Sequence, residues 1–258
     1  MPHALGLMVS CDLKSSADFA SGHSTCDTTP YGDPSAPLHH TRLAGHSVIV
    51  LQRHGLNHQI PPHQINYRAN LWSLRAAGAQ QIIGLATVGG IHPELGPGTI
   101  SIPDQIIDYT YGREHTFATT LNDTFGHIDF STPYCTDLRH ALINAAQSSG
   151  IACVTHGVYG ATQGPRLETA AEIRRLQQDG CDMVGMTGMP EASLARELGL
   201  DYACLALVVN KAAGLGDDII DLQQITECRD AGLRRVLQII QAYCGQQATI
   251  EPDNSSLL

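Results

Sequence analysis

The chain has 258 residues, 43 % of them apolar and 16 % charged, with a formal net charge of −10. This length and apolar content can bury a substantial core, and the acidic balance excludes a general nucleic-acid binder, which carries a basic stripe. No apolar run is long enough to span a bilayer, residues 1–14 lack the basic start of a signal peptide, and the eight cysteines form no C-x-x-C pair, so reduced thiols in the cytoplasm are expected rather than a disulfide framework.

The first forty residues have no clear pattern. Residues 48–51 and 81–87 are short apolar runs ending in polar or glycine-rich segments, and read as buried strands. Between them, residues 65–77 read as a helix stopped by Gly78. Residues 99–102 alternate like a strand that continues toward Ile107. Residues 137–149 place Leu138, Ala141, Leu142 and Ala145 on one helical face before Gly150. Residues 151–159 read as one strand, and 168–178 as a helix closed by Gly180. Residues 182–187 read as a strand, with Pro190 opening the next helix. Residues 202–209 are the longest buried strand, and Leu233, Val236, Ile240 and Tyr243 mark the apolar stripe of a last helix. Strands and helices alternate without a linker or repeat, so the expected fold is α/β: one three-layer α/β/α domain over residues 1–258, with a central mixed sheet.

Ligands of such sheets sit at strand ends. Arg53-His54-Gly55 follows a strand; the guanidinium is a planar fork for an oxyanion, and glycine lets a ligand approach the backbone. The run 87–90 (TVGG) follows another, and offers a hydroxyl and close N–H groups or simply a tight turn. Met186 and Thr187 end a third, suited to a sugar face and to phosphate, or to core and turn. Glu168 sits where a helix is expected to begin, which alone accounts for an acid there. Asn210 ends an apolar strand and presents an amide that both donates and accepts. The thirteen histidines match no zinc spacing, and no G-x-S-x-G elbow is present, so neither a metal site nor a serine hydrolase is expected.

Taken together, RHG at 53–55, PHQINYRANLW at 62–72, VGGIH at 88–92, DYTYGREHT at 108–116, QGPRLET at 163–169, VGMTGMPE at 184–191 and LALVVN at 205–210 resemble the trimeric purine nucleoside phosphorylase and methylthioadenosine phosphorylase family. The resemblance implies a cytoplasmic homotrimer active in purine salvage. It would transfer a pentosyl group from a purine nucleoside to phosphate, giving a free purine and a sugar 1-phosphate without a cofactor. It also implies that Arg53, His54, Ala86, Thr87 and Thr187 hold phosphate and that Met186 lies against the ribose. Asn210 and Glu168 would act on the base, with Ala212 lining the base pocket. Asn210 and Glu168 match the family positions that favour a 6-oxopurine. Leu222 matches the position that sets the 5′ substituent, where an apolar residue suits methylthio, and His127 matches one supplied by a neighbouring subunit. Methylthioinosine is therefore the expected substrate, with inosine or guanosine as the alternative.

One stretch departs from the family. Where it carries Gly-Gly-Thr-Gly against the phosphate, residues 7–13 read LMVSCDL. The loop glycines are absent, Cys11 falls on the hydroxyl position, Ser10 is one place away, and Asp12 would face a dianion with like charge. An impaired nucleoside binder is thus a further expectation to set beside an active enzyme.

Overall fold

A computed structural model describes residues 4–10, 19–118, 126–216 and 220–250; Cys11 and Asp12 lie outside them. In chain order the elements are β1 (Ala4–Val9), β2 (His23–Thr25), β3 (Leu38–Leu43), β4 (His46–Gln52), α1 (Tyr67–Ala76), β5 (Ala79–Gly90), β6 (Ile100–Ser101) and β7 (Gln105–Asp108), then α2 (Thr136–Ser148), β8 (Cys153–Val154), β9 (Val158–Ala161), α3 (Ala170–Gln178), β10 (Met183–Gly185), α4 (Gly188–Glu197), β11 (Asp201–Lys211) and α5 (Leu222–Ile250).

Local chemistry sets the helix ends. The Asn66 side chain caps α1 by accepting from the Ala69 N–H at 3.1 Å. Thr169 caps α3 in a full capping box with Glu172. Gly78, Gly150 and Gly180 adopt φ of +98°, +67° and +89° just past α1, α2 and α3, the left-handed stop that only glycine makes without strain.

The expected three layers are present. Along β11, Ala203, Leu205, Leu207 and Val209 pack with Val236, Ile240 and Tyr243 of α5 and Leu138 and Leu142 of α2. The alternate residues Tyr202, Cys204, Ala206 and Val208 pack with Leu71 and Leu74 of α1 and Ala192 and Leu194 of α4. A strand buried on both faces reads as a continuous apolar run, which is why this one was legible.

Two expected strands divide. Residues 151–159 form β8, which pairs with β6, and β9, which pairs with β7 and β10. The stretch 99–107 likewise divides into β6 and β7. Gly157, between β8 and β9, has φ of +136°, so the chain turns there instead of running straight.

β5 is the spine that positions the site. It pairs in parallel with β1 along one edge as far as Gly84, and with β11 along the other as far as Gly90. On the β1 edge its next partner is β10, antiparallel, at Gly89 and Gly90. Among the described residues no strand therefore lies beside Leu85, Ala86, Thr87 and Val88 on that edge, and the opening between β1 and β10 is the crevice where such sheets bind ligands. The run 87–90 is thus strand rather than a strand-end turn. Its glycines serve packing: a Cβ on Gly90 would lie 1.8 Å from the Leu95 carbonyl oxygen.

Candidate active site

The opening in the sheet leads into a cavity of about 420 Å³, within the range of small-molecule sites. Its wall joins sequence-distant segments: Ser10 after β1, His54 and His58 to Pro62 after β4, Thr87 to Gly89 of β5, Pro165, Leu167 and Glu168, Val184 to Thr187 around the end of β10, and Val209, Asn210, Ala212, Ile220 and Ile225. Seven residues proposed from sequence, namely His54, Thr87, Glu168, Met186, Thr187, Asn210 and Ala212, meet there.

Glu168 lies before α3, not in it. The role of an acid in the first helical turn belongs to Glu172, whose pKa falls to about 2 through its hydrogen bonds with Arg166 and the Thr169 backbone. Glu168 is thereby left for the cavity. Thr162 donates its hydroxyl to Glu168 Oε1 at 2.6 Å and fixes the carboxylate. Asn210 owes its aim to a β-bulge: pairing with β5 shifts between Val208 and Asn210, so that Val209 and Asn210 both reach the cavity. Its Nδ2 donates to the Lys211 carbonyl at 2.6 Å, which leaves Oδ1 as an acceptor.

His54 is buried, and its Nδ1 is 2.8 Å from the Ile60 carbonyl. A carbonyl only accepts, so Nδ1 carries the proton and Nε2 of the neutral ring is an acceptor. Burial pulls the imidazole down to about 4; the Ile60 bond opposes this, and Arg53 and His58 add to it. His54 can therefore accept a hydrogen bond from a sugar or phosphate hydroxyl. Gly55, with φ of +78°, serves the turn after Arg53 and is not part of the cavity wall.

Arg53 corrects the sequence expectation. Its side chain is fully buried, and all five N–H bonds are used within the protein. Nε and Nη2 donate to Glu191 Oε2 and Oε1 at 3.0 and 2.8 Å. Nη2 also donates to the Met8 carbonyl at 2.9 Å, and Nη1 donates to the Leu85 carbonyl at 2.5 Å and to Ser10 Oγ at 2.8 Å. Burial would lower its pKa, but Glu191 outweighs that and holds it above the ordinary arginine value. Tyr202 donates its hydroxyl to Glu191 Oε1 at 2.7 Å. Gly84 makes room for this cluster, since a Cβ there would lie 2.2 Å from the Tyr202 hydroxyl. Arg53 therefore ties the ends of β1 and β5 together and offers no free donor to a ligand.

Of three further residues, one departs from expectation. The Ala86 side chain packs in the core beneath the cavity, because β5 alternates and it is Thr87 that faces the opening, while the Ala86 backbone lies on the stretch of β5 between its pairings with β1 and β10. Leu222, at the first residue of α5, is 70 % exposed and does not line the cavity. The helix turns Ile225 inward instead, with Ile220 ahead of it. His127 is exposed and outside this chain's own cavity wall, which leaves the expectation that it serves a neighbouring subunit unchanged. Sequence reasoning missed the roles of Ser10's partner network, Thr162, Glu191, Ile220 and Ile225. Only Glu191 carried a local signal, and that signal reads as a helix-start acid. Among the described residues no three His, Cys, Asp or Glu side chains gather as metal ligands, and no helix is long and apolar enough to cross a membrane.

Residues 6–244 match the family described as the phosphorylase superfamily. The chain belongs to that family. Its relatives there include a probable S-methyl-5′-thioinosine phosphorylase of Pseudomonas syringae pv. tomato, 53 % identical over 81 % of this chain and 85 % of the relative. Another, from Xanthomonas campestris pv. campestris and given the same description, is 55 % identical over 73 % of this chain and 76 % of the relative. A 6-oxopurine nucleoside phosphorylase of Pyrococcus furiosus is 42 % identical over 83 % of this chain and 82 % of the relative. The methylthioadenosine phosphorylase of Schistosoma mansoni, solved with adenine, superposes with a TM-score of 0.88 at 29 % identity, covering 96 % of this chain and 92 % of that one. The phosphorylase fold expected from the strand-end motifs is thus the fold of this chain.

Proposed function

We propose that the protein cleaves a 6-oxopurine nucleoside with phosphate, and that its preferred substrate is S-methyl-5′-thioinosine, giving hypoxanthine and 5-methylthioribose 1-phosphate. The observation that carries this reading is the pairing of Glu168, fixed by Thr162, with the Asn210 amide in one cavity that also holds the Ser10, Thr87 and Thr187 hydroxyls. A carboxylate accepts from the N1–H that a 6-oxopurine has and adenine lacks. As the C1′–N9 bond breaks, its electron pair goes to the purine, cationic character builds on the sugar, and a phosphate oxygen bonds to C1′. The Asn210 carbonyl, accepting from a protonated N7, stabilises the departing base. Met186 suits the ribose face, and Ile220 and Ile225 give the wall an apolar patch for a methylthio group. No group beyond phosphate is needed, so the reading includes no cofactor.

The relatives described as methylthioinosine and 6-oxopurine nucleoside phosphorylases support the same base. The reading also includes a homotrimer in which His127 reaches a neighbour's cavity, and a cytoplasmic enzyme, in keeping with the free thiols of the described cysteines. The test is an assay of methylthioinosine, inosine and methylthioadenosine with and without phosphate. Phosphate-dependent cleavage with methylthioinosine fastest supports the proposal. Faster inosine turnover makes it a general 6-oxopurine enzyme, and nucleoside binding without cleavage makes it a binder. Sedimentation at micromolar concentration checks the trimer.

A further inference from the structure

Residues 108–116, singled out by sequence, supply no side chain to the cavity wall. One of them, Arg113, nevertheless binds behind separate parts of that wall. We propose that Arg113 is a positioning residue that aims Glu168 at the base and Met186 at the sugar of one bound nucleoside, a role that rests on the phosphorolysis reading above.

Arg113 is 7 % exposed and uses all five N–H bonds inside the protein. Nε donates to Gln163 Oε1 at 3.2 Å. Nη2 donates to the Thr162 and Gln163 carbonyls at 3.1 and 2.9 Å. Nη1 donates to the Met186 and Met189 carbonyls at 2.9 and 2.5 Å, and to the Tyr67 hydroxyl at 3.2 Å. Every one of these acceptors is a neutral oxygen, whereas the buried Arg53 is matched by Glu191. A buried charge is costly unless its hydrogen bonds are complete, so moving any acceptor away leaves a charged donor unpaired. The guanidinium thereby fixes the chain segments that bind it.

Those segments are the ones behind the nucleoside site. At residues 162–163, Thr162 is held by Arg113 while its hydroxyl donates to Glu168 Oε1 at 2.6 Å. Residues 186–189 place Met186 and Thr187 on the cavity wall. The two segments also meet at Gly164, where a Cβ would lie 2.5 Å from the Met186 sulfur. Tyr67 extends the hold to a third part of the wall, since its hydroxyl donates to the Pro62 carbonyl at 3.0 Å. A planar fork of fixed geometry therefore sets how Glu168 and Met186 stand to each other. A nucleoside must meet both at once, so a loosened fork weakens the contact at the base edge.

The experiment measures kcat/KM for methylthioinosine and methylthioadenosine in wild type, Arg113→Lys and Gln163→Leu, and in each with Glu168→Ala added. Folding of every full chain is checked by thermal melting. Arg113→Lys keeps the charge and loses the fork. Gln163→Leu removes the oxygen that accepts from Arg113 Nε and the Tyr111 N–H, and decides the matter if Arg113→Lys does not fold. The ratio of the two kcat/KM values, methylthioinosine over methylthioadenosine, is expected to fall about tenfold in Arg113→Lys and about threefold in Gln163→Leu. With Glu168→Ala present, neither change moves the ratio by more than about twofold, because the effect passes through Glu168. A ratio that keeps its wild-type value while both kcat/KM values fall together overturns the proposal, since a merely looser structure lowers both alike. An equal shift with and without Glu168 overturns it too. A wild-type ratio near one removes base recognition by Glu168, and the role of Arg113 with it. If wild type cleaves neither nucleoside with phosphate, the phosphorolysis reading has failed, and calorimetric binding of hypoxanthine and adenine decides Arg113. A hypoxanthine preference reduced in Arg113→Lys then supports the role, and an equal preference overturns it.

Discussion

The two ends of the cavity are built in different ways. At the end proposed to hold the base, Glu168 and Asn210 stand on segments next to regular strands and helices, and each is aimed by a neighbour: Thr162 for Glu168, and a bulge at the end of β11 for Asn210. At the end proposed to hold phosphate, the expected cation is withdrawn into a buried cluster with Glu191 and Tyr202, and hydroxyls face the opening. The base end can thus be altered with little effect on the fold. The phosphate end shares its parts with the sheet, so changes there disturb stability and binding together.

The largest expected effect breaks the phosphate end. Arg53→Met leaves Glu191 buried without its partner and should cost about 3–5 kcal/mol of folding stability, read from urea unfolding. A loss under 1 kcal/mol would mean that the pair does not hold β1 to β5. The base end should respond in specificity instead. Asn210→Asp is expected to move the ratio of kcat/KM for methylthioinosine over methylthioadenosine by about 100-fold toward adenine, roughly 2.7 kcal/mol, with stability little changed. An unmoved ratio would remove Asn210 from base recognition.

The effect that is smallest at any one step of pH sharpens the boundary between the ends. The folded His54 pKa, about 4, lies below its ordinary value of 6.5. The unfolded chain therefore binds more protons in this window. The contribution of His54 is present above pH 6.5 and is lost as pH falls toward 4, by at most about 1.4 kcal/mol per pH unit. Unfolding free energies measured between pH 7 and 4 should show this slope, and His54→Asn should flatten it. An equal slope in both proteins would mean that His54 titrates normally.

Legibility followed the same division. Residues 202–209 announced a doubly buried strand, and Gly78, Gly150 and Gly180 announced helix stops, because those signals depend only on near neighbours. Asn210, Met186, Thr187, Thr87 and His54 were read as strand-end residues and Glu168 as a helix start, and all six line the cavity. Arg53 was not legible in its actual role. A guanidinium after a strand looks ready for an anion, and its partner Glu191 lies 138 residues away. Leu222 was misplaced because the phase of α5 is set by packing farther along, where Val236, Ile240 and Tyr243 meet the sheet.

The sequence by itself determined the three-layer α/β class, most of the elements, and the cavity residues Glu168 and Asn210. Periodicity, capping residues and short motifs encode these locally. The tertiary structure alone decided which donors reach the opening in the sheet. Pairing along β5 creates that opening, the Arg53–Glu191 contact removes the obvious cation from it, and Ser10 is left at its edge. Those outcomes depend on contacts between distant segments, and a buried charge must find its partner wherever the fold supplies one.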